Sequence, residues 1–100
     1  MYRATTPTHI FTLPFETSLL KTVQITYQQF GKNILQKTEV DCTMTKNAIK
    51  LELTQEETLL FAPTAEVHIQ LRVMTNDGKV MASKIEKKQA KACLDEEVLT

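Results

Sequence analysis

Apolar and polar residues alternate strictly in twos along three stretches of this chain. Val23, Ile25 and Tyr27 alternate with Gln24, Thr26 and Gln28; Ile49, Leu51 and Leu53 with Lys50 and Glu52; Val67, Ile69, Leu71 and Val73 with His68, Gln70 and Arg72. A β-strand sends successive side chains to opposite faces, so each stretch predicts a strand with one dry and one wet face. The same period, more weakly expressed elsewhere, predicts six strands near 8–13, 21–28, 33–40, 47–53, 66–75 and 79–89. In the third, "NILQKTEV", apolar residues fall on both parities, so the period does not choose its inward face.

Turn signals separate these runs: "QFGKN" around Gly31, "DCTMTKN" before the fourth strand, and Asn76-Asp77-Gly78. The last hairpin tests register. A two-residue loop, Asp77-Gly78, would set Leu71 against Lys84 and place a lysine on the dry face. A three-residue loop, Asn76-Asp77-Gly78, pairs Val73 with Met81, Leu71 with Ser83 and Ile69 with Ile85. The second keeps the apolar set together and places Gly78 where a left-handed bulge residue is wanted.

One helical turn interrupts the strands. "TQEETLLF" offers Thr54 as N-cap and Glu57 three residues on, the spacing of a capping box, with Pro63 preventing extension. Leu59, Leu60 or Phe61 would then plug one end of the fold. Short strands at regular spacing with no long helices between them predict an all-β, antiparallel, immunoglobulin-like β-sandwich with one short helical turn near residues 55–60. Its organisation reads as a polar N-terminal arm (1–7), a sandwich domain (8–92) and a C-terminal tail (93–100). The tail, "AKACLDEEVL", reads either as a helix, with Ala90, Leu94 and Val98 four apart, or as a loose segment docking on a neighbour.

Composition agrees with the β reading. Thr occurs 15 times, and Val, Ile and Thr together supply 27 of 100 residues. Branching at Cβ suits a pleated surface better than a helix. Lys plus Arg and Asp plus Glu each number 12, a formal net charge of zero, so the basic footprint of a nucleic-acid binder is missing. Lys84, Lys87, Lys88 and Lys91 cluster locally, but "LDEEVL" follows and offsets them. "MYRATTPTHIFTLPF" lacks the continuous apolar core of a secretory signal, and no run reaches membrane-span length. Cys42 and Cys93 stand 51 positions apart in no metal or redox spacing. They read as two half-buried thiols, or as a disulfide if both lie at one end of the sandwich.

Catalytic constellations weaken one by one. Ser83 and Lys84 have the residue types of a dyad, but neighbours on a strand face opposite ways. Glu56 and Glu57 are accounted for by the helix cap. His9 and His68, with Asp41, Cys42 or Cys93, show no short-range ligand pairing, and Gly31 and Gly78 are isolated. The expectation is a non-enzyme without cofactor or metal. What remains is surface. Thr22, Gln24, Thr26 and Gln28 on one strand and His68, Gln70 and Arg72 on another form wet, mostly uncharged parities. With Leu94 and Val98 of the tail they are the candidate protein-contact residues; the plain alternative is an ordinary solvated face.

Taken together, "TTPTHIFTLPF", "VQITYQQ", "LTQEETLLF", "VHIQLRVMTNDGKVMASKI" and "CLDEEVL" resemble, in that order and over nearly the whole chain, small proteins encoded in phage and prophage regions of Gram-positive bacteria. More loosely, the "LTQEET" turn and long hairpin are similar to immunoglobulin-like N-terminal modules of phage baseplate proteins. The chain departs from that pattern after "ASKI", where "EKKQAKA" replaces β-branched alternation with charge. The resemblance implies a structural or assembly component of the tail or baseplate, made in the bacterial cytoplasm and carried in the virion. It would contact itself as a homo-oligomer or other phage structural proteins, with no nucleic acid and no membrane. Alternatives are a monomeric binding module or a small phage-encoded regulator of a host protein. Glycan binding ordinarily wants exposed aromatics, and only two Tyr and four Phe are present.

Overall fold

The structure, a computed structural model covering residues 1–100, is a sandwich of two antiparallel sheets. Its strands are β1 (Thr8–Thr12), β2 (Leu20–Gln29), β3 (Lys32–Thr38), β4 (Thr43–Met44), β5 (Ala48–Glu52), β6 (Glu66–Thr75), β7 (Val80–Ala82) and β8 (Glu86–Gln89). One sheet has the order β1-β5-β4. The other has the order β3-β2-β6-β7, with β8 pairing β6 beyond β7. In immunoglobulin terms the first sheet fills the B-E-D positions and the second the C′-C-F-G positions. No strand pairs with the outer edge of β1, the place of strand A.

The predicted dry parities meet between the sheets. Val23, Ile25 and Tyr27 of β2, Val67, Ile69, Leu71 and Val73 of β6, Ile49 and Leu51 of β5 and Phe11 of β1 are all buried in one core cluster. A buried aliphatic or aromatic side chain contributes roughly 1.5–3 kcal/mol, so a one-residue slip of β2 or β6 would expose a whole set at once. The helical turn α1 (Gln55–Thr58) closes one end with the expected capping box: Glu57 N–H donates to Thr54 Oγ1 at 3.1 Å, and Thr54 N–H to Glu57 Oε1 at 2.9 Å. Phe61 is the buried plug, while Leu60 faces solvent.

Besides a register shift at the start of β2, where Leu20 faces Thr75 and Thr22 faces Met74, two bulges set the local departures. Between β2 and β3 the register shifts after Tyr27↔Leu35 to Gln28↔Asn33, leaving Ile34 as the extra residue. Ile34 and Leu35 both pack against the core, which explains why apolar residues occupy both parities there. The strand stops at Thr38 and passes into a 3-10 turn, Glu39–Asp41, rather than continuing to residue 40.

The second bulge corrects the last predicted strand. The three-residue loop is present, closed by Thr75 N–H to Lys79 O at 2.8 Å with Gly78 at φ 87°, and Val73 pairs Met81. Ser83 N–H still donates to Leu71 O at 2.8 Å, but Leu71 N–H donates to the Ser83 hydroxyl oxygen at 3.0 Å. The side chain takes the place of a strand carbonyl and the ladder gains one residue. Ile69 therefore faces Glu86, not Ile85, and residues 79–89 are two strands rather than one. Ile85 is left 52% exposed.

The two ends of the chain are joined. Tyr2 and Lys91 form a parallel bridge, Lys91 N–H donates to Met1 O at 2.9 Å and Arg3 N–H to Lys91 O at 2.8 Å. Residues 1–3 thus run parallel beside residues 89–91, joined by a single bridge. Arg3 also donates to Glu96 at 2.7 Å. Residues 91–100 contain no helix: Ala90 is fixed by strand-like bonds to the 64–65 loop, and Leu99 exchanges hydrogen bonds with the Gln55 side chain. Cys42 and Cys93 are both free.

Candidate functional site

β2 and β6 are the two central strands of the larger sheet, so their wet parities lie side by side. Gln24 stands opposite Arg72, Thr26 opposite Gln70 and Gln28 opposite His68, with Thr22 beside Met74 at the far end. β3 adds Gln36 beside Thr26 and Asn33 beside Gln28. The result is a shallow trough of about 300 Å³ lined by Gln24, Thr26, Gln28, Asn33, Gln36, His68, Gln70, Arg72 and Ile85. Six of the nine candidate residues line it, and Thr22 extends the same face. Leu94 and Val98 do not belong to it: they lie on the tail, Leu94 fully exposed and Val98 half-buried.

The trough is held by side-chain amides. Gln28 Nε2 donates to Asn33 Oδ1 at 2.6 Å, Gln70 Nε2 to Ser83 O at 2.9 Å, and Gln36 Nε2 to Thr26 Oγ1 at 3.4 Å. Arg72 donates to Gln24 Oε1 at 3.4 Å, leaving its charge without a carboxylate partner, and His68 Nε2 lies 2.8 Å from Glu66 Oε1 at the rim. Long amides and hydroxyls offer both donors and acceptors without burying charge. Such a surface can be covered by another polar surface at little desolvation cost, provided each group finds a partner.

Besides Thr58 of the helical turn, two polar groups unmarked by the alternation lie in the interior. His9 lies on the inward parity of β1 with Phe11, and its Nδ1 is 2.6 Å from the Tyr27 hydroxyl. Tyr27 packs in turn on Phe61, ring centroids 5.8 Å apart. Burial, reinforced by Lys88 and opposed by Glu86, holds the His9 pKa below its ordinary value, while burial pushes that of Tyr27 well above its own. Both groups are therefore uncharged at neutral pH, and the phenol and the imidazole share one hydrogen bond. The second group is Gln29, which continues the dry parity of Val23, Ile25 and Tyr27. Its Nε2 donates to Ala62 O at 3.0 Å and its Oε1 accepts from Ala62 N–H at 2.7 Å, clamping the loop after α1. A glutamine closing an apolar run is the signal that could have flagged it.

Other titratable groups have structural explanations. Burial opposes ionisation of Glu57, but Lys37 and the Thr54 N–H overcome it and hold its pKa below the usual carboxylate value. Burial, with Asp41 and Glu39 alongside, pushes the Cys42 thiol up, away from the thiolate needed for reaction. No three His, Cys, Asp or Glu side chains converge to a metal-sized cluster, and no helix is long and apolar enough to cross a membrane. Comparison of the chain with family models, curated proteins and solved structures finds no match.

Proposed function

We propose that this chain is a non-catalytic structural or assembly component of a phage or prophage particle, of the tail or baseplate, working through protein–protein contacts. The observation that carries the contact reading is the convergence of Thr22, Gln24, Thr26, Gln28, His68, Gln70 and Arg72 on one face of the larger sheet. The assignment to a particle rests on the resemblance of the chain's segments to small phage-encoded proteins. A broad, amide-rich sheet face with a single arginine matches the polar character of interfaces formed between already folded partners. Because the trough is lined by no Phe, Tyr or Trp, it favours a protein partner over a sugar.

The test is mass spectrometry of purified particles from an induced host, comparing the native chain with a Thr26→Arg/Gln70→Glu variant. Both positions are partly open to solvent, and circular dichroism would verify that the variant folds. The reading expects the native chain in the particle and the folded variant missing from it. A native chain abundant in cells but absent from particles would overturn it in favour of a regulator. A specific micromolar sugar found by calorimetry would overturn it in favour of a monomeric binding module.

A further inference from the structure

The sandwich has four outer strand edges, and three carry a device that discourages pairing with another chain. The β3 edge holds Lys32 and Lys37 and is broken by the Ile34 bulge. The β7–β8 edge holds Lys87 and Lys88, with Lys84 in the break at Ser83–Ile85, and is partly covered by residues 1–3. β4 has two residues. The fourth edge is β1, and it has none of these. Its sequence is Thr8-His9-Ile10-Phe11-Thr12, without lysine, acid, proline or bulge, paired in unbroken register with β5.

The flanking hydrogen bonds fix which groups point outward. Leu53 N–H donates to Pro7 O and Leu13 N–H to Asn47 O, so residues 7, 9, 11 and 13 direct their backbone groups toward β5. The N–H and C=O groups of Thr8, Ile10 and Thr12 therefore face away from the sheet, and none makes a backbone hydrogen bond. Ile10 is 56% exposed on the outer face.

This row of outward residues, Thr-Ile-Thr, reads the same in both directions about Ile10. We infer that β1 is a homotypic pairing edge: the β1 strands of two copies join antiparallel about a twofold axis at Ile10, making one six-stranded sheet of order β4-β5-β1-β1-β5-β4. Ile10 stands opposite Ile10 of the other copy, and Thr8 of each opposite Thr12 of the other. About six backbone hydrogen bonds close the seam. Threonine pairs and a β-branched pair are favourable cross-strand neighbours. An isologous contact of this kind closes on itself and leaves no propagating edge.

The seam is short. Specific stable interfaces bury about 1,200–2,000 Å², more than one five-residue strand per copy supplies, so association is a concentration-dependent equilibrium. The inference deepens the contact reading above by naming a second copy as one partner and β1 as its site.

Sedimentation equilibrium over roughly a hundredfold range of concentration tests it, on the native chain and on Ile10→Lys and Ile10→Pro. The lysine places a charge against itself at the axis. The proline deletes an outward donor and leaves every bond to β5 in place. The expected result is a native monomer–dimer equilibrium that each variant weakens at least about tenfold, with unfolding midpoints close to native. Amide exchange at Thr8, Ile10 and Thr12 should slow as native concentration rises, while His9 and Phe11 are protected throughout. A native chain that is monomeric over the whole range overturns the inference. So does a dimer that both variants leave intact. Neither result bears on the outer-face reading, whose test changes Thr26 and Gln70 and leaves β1 untouched.

Discussion

The hydroxyl of Tyr27 and His9 Nδ1 are hydrogen-bonded across 2.6 Å, tying the edge strand of one sheet to the centre of the other. The contact is polar, part-buried and uncharged only while His9 remains neutral. Glu86 and Lys88, on the strand displaced by the Ser83 bulge, and the Met1 ammonium are the charged groups acting on the imidazole.

Acidification should therefore weaken the fold before the carboxylates titrate. The folded His9 has a depressed pKa, so the unfolded chain binds the extra proton first. Stability is full above the unfolded histidine value of about 6.5, begins to fall as pH drops through it, and stops falling from this source below the folded pKa. Urea midpoints between pH 8 and pH 5 should show this decline, and His9→Gln should flatten it. An unchanged profile in the variant would remove His9 as its cause.

Replacing Gln29 by leucine should destabilise the protein by about 2 kcal/mol, although it adds an apolar group to a buried site. The substitution leaves Ala62 N–H and C=O without the amide that pairs them, and an orphaned buried polar group costs about 1–3 kcal/mol. Equilibrium urea unfolding would measure the loss. A neutral or stabilising result would mean the 62–65 loop finds water or another partner.

Phe30→Asn should have the opposite sign. Phe30 and Gly31 form the two-residue β2–β3 turn with φ of 54° and 71°, and Phe30 is 78% exposed. A left-handed conformation costs most L-residues about 1–2 kcal/mol, a penalty that asparagine largely escapes. With little packing to lose, the variant should gain about 1 kcal/mol and several degrees in thermal midpoint. A drop in midpoint would show that the phenyl ring packs more than its exposure indicates.

Ser83→Ala should act on register. The alanine removes the acceptor for Leu71 N–H at the bulge, with an expected cost of about 1 kcal/mol and faster amide exchange at Leu71. If exchange there stays slow, the ladder has re-paired through a backbone carbonyl, restoring Ile69 opposite Ile85.

Where a strand is buried along one whole face, its identity and neighbours follow from period two alone. Val23–Tyr27 and Val67–Val73 fall into this group, and once these two strands are adjacent, their polar parities must share the opposite face. That is why the trough residues could be picked out without coordinates. The capping box and the Asn-Asp-Gly loop were legible for a related reason: each is decided by side chains within four positions. The bulges were not. Ile34 and Ser83 each depend on one residue opting out of a ladder whose other half lies elsewhere in the chain, and no local pattern records that. The N-terminal segment is similar, because "MYR" is unremarkable until residues 89–91 arrive beside it. Leu94 and Val98 were separated from the trough because the tail crosses the α1 end instead of following the sheet.

That late arrival has a consequence for synthesis. Met1–Arg3 are made well before the residues they bond, which lie some ninety positions downstream. At roughly 5–20 residues per second of translation, this segment waits on the order of 5–20 s for its partner to exist. The β1–β5 pairing likewise bridges about forty residues, so few contacts can form while the chain is short, and folding of this topology belongs to the slower, millisecond-to-second regime. During that interval the unguarded β1 segment, with its apolar Ile10 and Phe11, is exposed to whatever extended chain lies nearest. On a polysome that neighbour is another nascent copy of the same sequence.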